Sequence, residues 1–297
     1  MRWVAALLVG ICAGGWGCGS SGETALSGHL IVACADSAFP LIEREARTFM
    51  TLYPGARIDV ALADSRGALV KLFNGEAGLA VISRDVGEDE RRAASEGDIS
   101  LNTYRIAVDG VAIIVHPQNR VDSLSLAQVS ELLGGKVGSW SEVGGDDRPV
   151  VPVVRDRNSG TYEVVRQRVL AGGDFVRGVL CRTSQEVVDR VASDPGGIGC
   201  VGLAWLKGGR VKALRIARRP GEEFVVASAP GVYQNRYPIR RPLLVCTTGG
   251  AVEASPRAGF IAFLTSQKGQ MIVESEGLAP DTVPERVIQL KQELLTR

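Results

Sequence analysis

Segments with the pattern of buried strands alternate along this chain with segments of helical periodicity. The predicted strands are residues 30–33, 57–62, 79–82, 110–116, 150–154, 198–201 and 241–247. The predicted helices are residues 41–53, 69–74, 126–133, 161–170, 184–192, 256–265 and 284–295. Alternation of this kind predicts an α/β fold with a mainly parallel sheet. Because a second series begins at Gly110, we expect two α/β units in one chain.

The first residues have the order of an export signal. Arg2 precedes an apolar stretch at 3–13, small residues follow, and Cys18 leads into a Gly-Ser segment at 19–22. The apolar stretch is shorter than the roughly 20 residues that a membrane-spanning helix needs. The segment resembles a bacterial lipoprotein signal, which implies that residues 1–17 are removed and that Cys18 carries the lipid. An ordinary cleaved signal and a chance apolar start remain alternatives.

Charge and histidine content exclude several classes of function. The chain has 34 Lys and Arg against 33 Asp and Glu, so its formal net charge is +1 and argues against a nucleic-acid binder. The two histidines, His29 and His116, are too far apart for a spaced metal pair. The sequence has neither a Gly-x-Ser-x-Gly elbow nor a Walker-type phosphate loop. We therefore expect no catalytic residue, metal or cofactor.

Four cysteines follow the signal segment: Cys34, Cys181, Cys200 and Cys246. They allow three complete disulfide pairings, and their spacing does not choose among them. A zinc site is disfavoured because no Cys-x2-Cys pair occurs. For Cys34 and Cys246, each within an apolar run, a buried free thiol is at least as good an interpretation as a disulfide.

The segment from Arg155 to Thr161 follows a predicted strand and opens a predicted helix. Free backbone N–H groups and hydroxyls at a helix start, next to an arginine, suit a tetrahedral oxyanion. Simple helix capping is the alternative for each of these residues. Similar hydroxyl-bearing junctions occur at 35–40 and 63–67, so several polar groups would meet at carboxyl ends of strands, where open parallel sheets bind ligands.

Several separate segments resemble one family, the phosphate-binding proteins of bacterial ABC-type phosphate uptake, which form the PstS-like branch of the periplasmic solute-binding proteins. The likeness extends over residues 31–279. It rests on DGVAIIV at 109–115, GGK at 134–136, WSEVGG at 140–145, RDRNSGT at 155–161, DPGGIG at 194–199, and YP at 237–238 with RPL at 241–243.

The resemblance implies a two-lobed fold, in which each lobe is a mainly parallel sheet flanked by helices and crossover strands join the lobes. We place the crossovers near residues 107–111 and 237–245. The expected division is a signal peptide at 1–17, a lipid anchor and linker at 18–27, lobe I at 28–108, lobe II at 109–237 and a return to lobe I at 238–297.

The resemblance also implies the residues that bind phosphate between the lobes. They are Ser37, Ala38, Ser65, Ser83, Arg155, Ser159, Gly160 and Thr161. Part of the family has an aspartate where this chain has Ser83, and that aspartate accepts the proton of hydrogen phosphate. Another carboxylate would have to replace it here. We favour Asp64, with Asp36 and Asp156 as alternatives, and Asp156 could instead pair with Arg155.

The function implied is that of an exported, lipid-anchored and monomeric lipoprotein in the periplasm or at the cell surface. It would bind inorganic phosphate and deliver it to the membrane permease subunits of an ABC transporter, without acting as an enzyme. The alternatives are binding of sulfate, molybdate or tungstate, a sensor or adhesion lipoprotein, and an exported phosphoryl-transfer or hydrolytic enzyme.

Overall fold

The computed structural model describes residues 23–249 and 255–281. The strands are β1 (Gly28–Ala35), β2 (Ala56–Ala63), β3 (Leu79–Ile82), β4 (Leu101–Val115), β5 (Ser123–Ser125), β6 (Val151–Arg155), β7 (Val179–Cys181), β8 (Gly197–Gly202), β9 (Lys212–Ala213), β10 (Arg215–Ala217), β11 (Arg240–Thr248) and β12 (Ala279–Pro280). The helices are α1 (Phe39–Leu52), α2 (Ser65–Phe73), α3 (Glu88–Glu96), α4 (Leu126–Leu133), α5 (Gly160–Arg168), α6 (Ser184–Ser193), α7 (Ala229–Tyr233), α8 (Pro256–Thr265) and α9 (Gln267–Ser275). The predicted signal segment with Cys18 and the predicted helix at 284–295 lie outside the described residues.

The main sheet has the strand order β2-β1-β3-β11-β4-β8-β6-β7, with β9 and β12 also paired to β4. At one end, β1 is parallel to both β2 and β3. At the other end, β6 is parallel to both β7 and β8. Helices follow most of these parallel strands, so the predicted α/β fold with two parallel strand groups is confirmed.

The middle of the sheet is antiparallel and connects the two parallel groups. Strand β4 pairs with β11 up to Gly110 and with β8 from Val111 onwards. The crossovers expected near 107–111 and 237–245 fall on β4 and its partner β11. Strand β4 begins at Leu101, earlier than the predicted start at Gly110. The sequence does not indicate this first part, because residues 101–105 are exposed or half-buried and lack a continuous apolar run.

Aromatic side chains pack helix α1 against helix α8, which comes near the end of the described chain. The ring of Phe49 on α1 contacts those of Phe260 and Phe263 on α8 edge to face, with centroids 5.5 and 5.4 Å apart. All three side chains are buried. The chain therefore returns after β11 to cover the same strand group with which it began.

The four described cysteines are buried and free. Burial raises the pKa of Cys200 and of Cys246 to about 12, and it also raises the pKa of Cys181. Because the thiolate is the nucleophilic form, these side chains act as small apolar groups. Within the described part of the chain, no helix is both long and apolar enough to cross a membrane.

Glu45 on α1 is a buried carboxyl group in the core, and neither of its oxygens has a hydrogen-bond partner. Burial raises its pKa from 4.5 to about 9; Arg44 opposes this rise and Glu276 adds to it. Between these two pH values the folded state holds a proton that the unfolded state has lost. Stability should therefore fall as the pH rises above 4.5, until the pH reaches the folded pKa.

We expect Glu45→Gln, which stays uncharged at every pH, to remove this dependence. The variant should therefore exceed the unmodified protein in melting temperature by more at pH 8 than at pH 5. Glu43→Gln is the control, because the Glu43 side chain on the same helix is 52% exposed. Differential scanning calorimetry at the two pH values checks the prediction, and an equal difference at both would contradict it.

Candidate functional site

Three strand ends bring small polar residues together at one point. Ser65 opens α2 after β2, Ser83 follows β3, and Gly160 opens α5 after β6. Ser65 Oγ lies 3.3 Å from Ser83 Oγ and accepts the Ser83 backbone N–H at 3.2 Å. A Cβ at Gly160 would lie 2.6 Å from Ser65 Oγ and closer still to Ser83 Oγ. Only glycine permits this approach, so the start of α5 lies against both hydroxyls.

A buried arginine on β11 completes this cluster. Arg241 Nη1 donates to Thr161 Oγ1 at 2.8 Å and to Ser83 Oγ at 3.4 Å. Its Nε and Nη2 donate to Asp109 Oδ2 at 2.9 and 2.7 Å. Asp109 on β4 also accepts the Leu203 N–H at 3.0 Å. The two antiparallel strands therefore hold a guanidinium group next to Ser83 and Thr161.

Arg155, at the end of β6, connects the turn after β1 to the start of α6. Its Nη1 donates to Asp36 Oδ2 at 2.7 Å and to Ser184 Oγ at 3.1 Å, and Nη2 donates to the Arg182 carbonyl at 2.8 Å. Asp36 Oδ2 also accepts the Ser184 N–H at 2.8 Å and its hydroxyl at 2.5 Å. Arg155 Nε is buried without a partner. One donor of this guanidinium therefore remains available inside the protein.

The alternative pairing of Arg155 with Asp156 is wrong. Asp156 Oδ1 instead accepts the Asn158 N–H at 2.9 Å, a local turn contact, whereas Arg155 pairs with Asp36. The physical reason is the direction of the strand. The buried Arg155 side chain points toward the β1 junction, while half-buried Asp156 already belongs to the following turn.

The other predicted phosphate ligands surround these contacts. Ser37 and Ala38 are buried in the short 3₁₀ turn Asp36–Ala38, directly after the partner of Arg155. Ser159 is buried, and its Oγ accepts the Thr161 N–H at 3.2 Å at the start of α5. Ser65 and Ser83 thus contact each other, Gly160 approaches both, and Thr161 joins them through Arg241. Ser37, Ala38 and Ser159 join the site only through chain neighbours. Their role in binding stays a prediction.

Asp64, the predicted proton acceptor, caps α2. Its Oδ1 accepts the Gly67 N–H at 2.6 Å, and the side chain is half-buried. Capping satisfies one of the free N–H groups of the first helical turn. Acceptance of a ligand proton by Asp64 also stays a prediction.

The site combines hydroxyl groups, two helix starts and two buried guanidinium groups. Each guanidinium is paired to one carboxylate, Arg155 to Asp36 and Arg241 to Asp109. Hydrogen-bond donors at helix starts next to arginine favour a tetrahedral oxyanion. No group of three or more His, Cys, Asp or Glu side chains with metal-binding geometry occurs within residues 23–249 and 255–281.

Three residues of the site, Arg241, Asp109 and Ser184, were not predicted from the sequence. Asp109 and Arg241 did appear in the segments that carried the family resemblance. Asp109 directly precedes the predicted strand at 110–116, and Arg241 begins the predicted strand at 241–247. Opposite charges at these two strand starts were the available signal for a buried ion pair. For Ser184 the only signal was its place at the start of a predicted helix, which capping also explains.

Comparison with known proteins identifies the family. The model of the PBP superfamily domain matches residues 19–268. The phosphate-binding protein PstS of Pseudomonas aeruginosa is 30% identical over 271 residues, which cover 86% of this chain and 84% of the relative. The chain is a PstS-like member of the PBP superfamily. The predicted family is therefore confirmed. The PstS protein of Bacillus subtilis is 28% identical over 264 residues, or 89% of this chain and 84% of that protein.

Solved structures agree with this assignment. An ABC transporter substrate-binding protein from Clostridium perfringens, solved with bound phosphate, superimposes with a TM-score of 0.77 and 27% identity, covering 86% of this chain and 100% of that one. An ABC-type phosphate transport receptor from Vibrio cholerae superimposes with a TM-score of 0.66 at 21% identity, covering 85% of this chain and 100% of that one. The second likeness supports the fold alone. The two-lobed PBP fold is thus the fold of this PstS-like chain.

Proposed function

We propose that this chain binds inorganic phosphate between its two strand groups and delivers it to the membrane permease subunits of an ABC transporter. The observation that carries the proposal is the contact of Gly160 and Thr161, at the start of α5, with Ser65, Ser83 and Arg241. These residues come from both strand groups, so an anion held here would fix the groups relative to each other. The names of the PstS relatives and the phosphate-bound structure support the same ligand.

Binding would couple to closure of the two lobes. We assign lobe I to residues 28–108 and 238–297, and lobe II to residues 109–237. Ser37, Ala38, Ser65 and Ser83 then approach the anion from lobe I, and Arg155, Ser159, Gly160 and Thr161 approach from lobe II. An anion that binds only the closed form shifts the equilibrium toward it.

Calorimetry and thermal unfolding with a panel of anions test this function. Phosphate at 100 times its dissociation constant stabilises a one-site protein by about 2.7 kcal/mol. We expect this shift with phosphate and arsenate and a much smaller one with sulfate, molybdate and tungstate. If sulfate, molybdate or tungstate gives a larger stabilisation than phosphate does, that anion is the ligand instead of phosphate. No shift with any anion would favour a sensor or adhesion protein that keeps the fold.

Selectivity against sulfate needs an acceptor for the proton of hydrogen phosphate, because Ser83 adds no negative charge. An acidic acceptor rejects sulfate by placing two like charges together in a buried site. We expect Asp64→Asn to weaken phosphate binding and to reduce the preference for phosphate over sulfate. Calorimetric titration with both anions measures this preference. An unchanged preference would restrict Asp64 to its capping contact with Gly67.

PstS-like binding proteins are periplasmic or extracellular. For this chain we propose a lipid anchor at Cys18, with residues 1–17 removed and residues 18–27 as the anchor and linker. We expect Cys18→Ala to release the protein from the membrane fraction without a lipid. Mass spectrometry of the native N-terminus checks this, and an unmodified Cys18 on the membrane-associated protein would contradict it. We also propose that the protein acts as a monomer.

A further inference from the structure

A cavity of about 400 Å³ lies beside the candidate phosphate site, with which it shares Arg241. Besides Arg241, four arginines on four elements line it: Arg91 on α3, Arg105 on β4, Arg168 on α5 and Arg240 on β11. We call these four residues and the space between them the arginine pocket. Its volume is in the usual range for small-molecule sites and exceeds what one orthophosphate ion fills.

The arginine pocket has a strong excess of positive charge. Among the described residues that line it, Asp85 is the only acidic one. Arg241 also lines the cavity, but its charge is already balanced by Asp109. The formal charge of the whole chain is only +1, so this concentration is local and not a general property of the surface.

Three of the four arginines have no carboxylate partner among the residues that the structure describes. Two other arginines near this cavity have close carboxylate partners: Arg66 pairs with Asp89 at 2.9 Å and Arg84 with Glu90 at 2.6 Å. In the arginine pocket, Arg105 pairs with Asp281. For Arg91, Arg168 and Arg240, no carboxylate of the described residues lies within 4.0 Å.

Arg240 is the most confined of the three. It is half-buried, and its Nη1 donates to the Val232 carbonyl at 3.3 Å. Burial lowers its pKa, and the charges of Arg168, Arg218 and Arg105 lower it further. An arginine keeps its charge at any ordinary pH, so the repulsion among these groups persists until an anion relieves it.

We propose that the arginine pocket is a second anion site, separate from the buried phosphate site, and that it binds condensed phosphates such as diphosphate and tripolyphosphate. The planar guanidinium group pairs with two phosphate oxygens at once. Because the arginines surround the cavity from four elements, a chain of linked phosphates can contact several of them together. The cavity volume of about 400 Å³ exceeds that of one orthophosphate ion, which favours the longer anion. This proposal rests on the proposed function in one respect: it takes the buried site around Ser65, Ser83 and Gly160 as the site that binds orthophosphate.

The test is a calorimetric titration of the full protein with tripolyphosphate at low ionic strength, with and without saturating orthophosphate. Low salt is needed because exposed charges are screened strongly at higher concentrations. We expect one tripolyphosphate ion to bind while orthophosphate remains bound. Arg168→Gln/Arg240→Gln should weaken that binding more than tenfold and leave orthophosphate affinity unchanged. The matched control is Arg120→Gln/Arg219→Gln, which removes the same charge from side chains that are 77% and 80% exposed.

Three results would overturn the proposal. In the first, tripolyphosphate does not bind to the orthophosphate-saturated protein. In the second, tripolyphosphate displaces orthophosphate one for one. In the third, both double variants lose the same amount of tripolyphosphate affinity. A protein that binds tripolyphosphate through Arg168 and Arg240 but does not bind orthophosphate would contradict the assigned function alone. The two proposals can therefore fail separately.

Discussion

Arg155→Ala should reduce phosphate affinity more than tenfold. The substitution removes a buried guanidinium group whose Nε has no protein partner, at the end of β6 and just before the start of α5. A hydrogen bond to a charged group contributes about 1.5–3 kcal/mol, and each 1.4 kcal/mol is a factor of ten in affinity. Calorimetric titration with phosphate measures the change.

Loss of the fold must be separated from loss of the ligand contact. Removing one member of a buried ion pair costs about 3–5 kcal/mol, and here it would leave Asp36 without its arginine. Arg155→Lys keeps the positive charge but loses the planar fork, so it should fold and still bind phosphate weakly. Arg157→Ala is the control, because that side chain is 77% exposed. Wild-type affinity in a folded Arg155→Ala protein would remove Arg155 from the site.

Gly160→Ala should lower phosphate affinity about five- to hundredfold while the protein stays folded. The added methyl group would collide with the hydroxyls of Ser65 and Ser83 when the start of α5 lies against them. Overpacking of this kind costs about 1–3 kcal/mol, and we expect the cost to fall on the closed, ligand-bound form. We expect the two lobes to separate in the ligand-free protein, which would remove the collision from that form.

Gly138→Ala is the matched control for this prediction. A Cβ at Gly138 would meet nothing within 4 Å, so the same chemical change has no steric consequence there. Thermal unfolding without ligand should be nearly unchanged in both variants, and phosphate titration should separate them. Equal phosphate affinity in the two variants would show that α5 does not close onto Ser65 and Ser83 when the ligand binds.

The longer strands of the main sheet could be predicted because their signal is local, whereas the two- and three-residue strands β5, β7, β9, β10 and β12 are too short to give one. Residues 79–82 are four consecutive apolar side chains, and all four are buried in β3. Helix α3 was not predicted, because it is mostly charged and buries only Glu90 and Ala94. Glu90 is buried through its ion pair with Arg84, a contact that hydrophobic periodicity does not detect. Helix α9 was likewise not predicted, since polar residues and Gly269 interrupt its apolar face.

The residues of the candidate site could also be predicted only in part. Hydroxyl groups after strands could be placed near each other, because parallel strands end at a common edge. The partners of the two arginines could not be chosen, because Asp36 and Arg155 are 119 residues apart and Asp109 and Arg241 are 132 residues apart. Such pairs depend on which strands become neighbours, and several carboxylates near each junction were equally suitable on local grounds.

A crystal structure of the protein grown with phosphate tests the proposed binding site most directly. The expected result is one phosphate ion with oxygens about 2.7–3.2 Å from Arg155 Nε, Ser65 Oγ and the Gly160 backbone nitrogen. Phosphate bound elsewhere, with Ser65, Arg155 and Gly160 free of any anion, would contradict the assignment of these residues to the phosphate site.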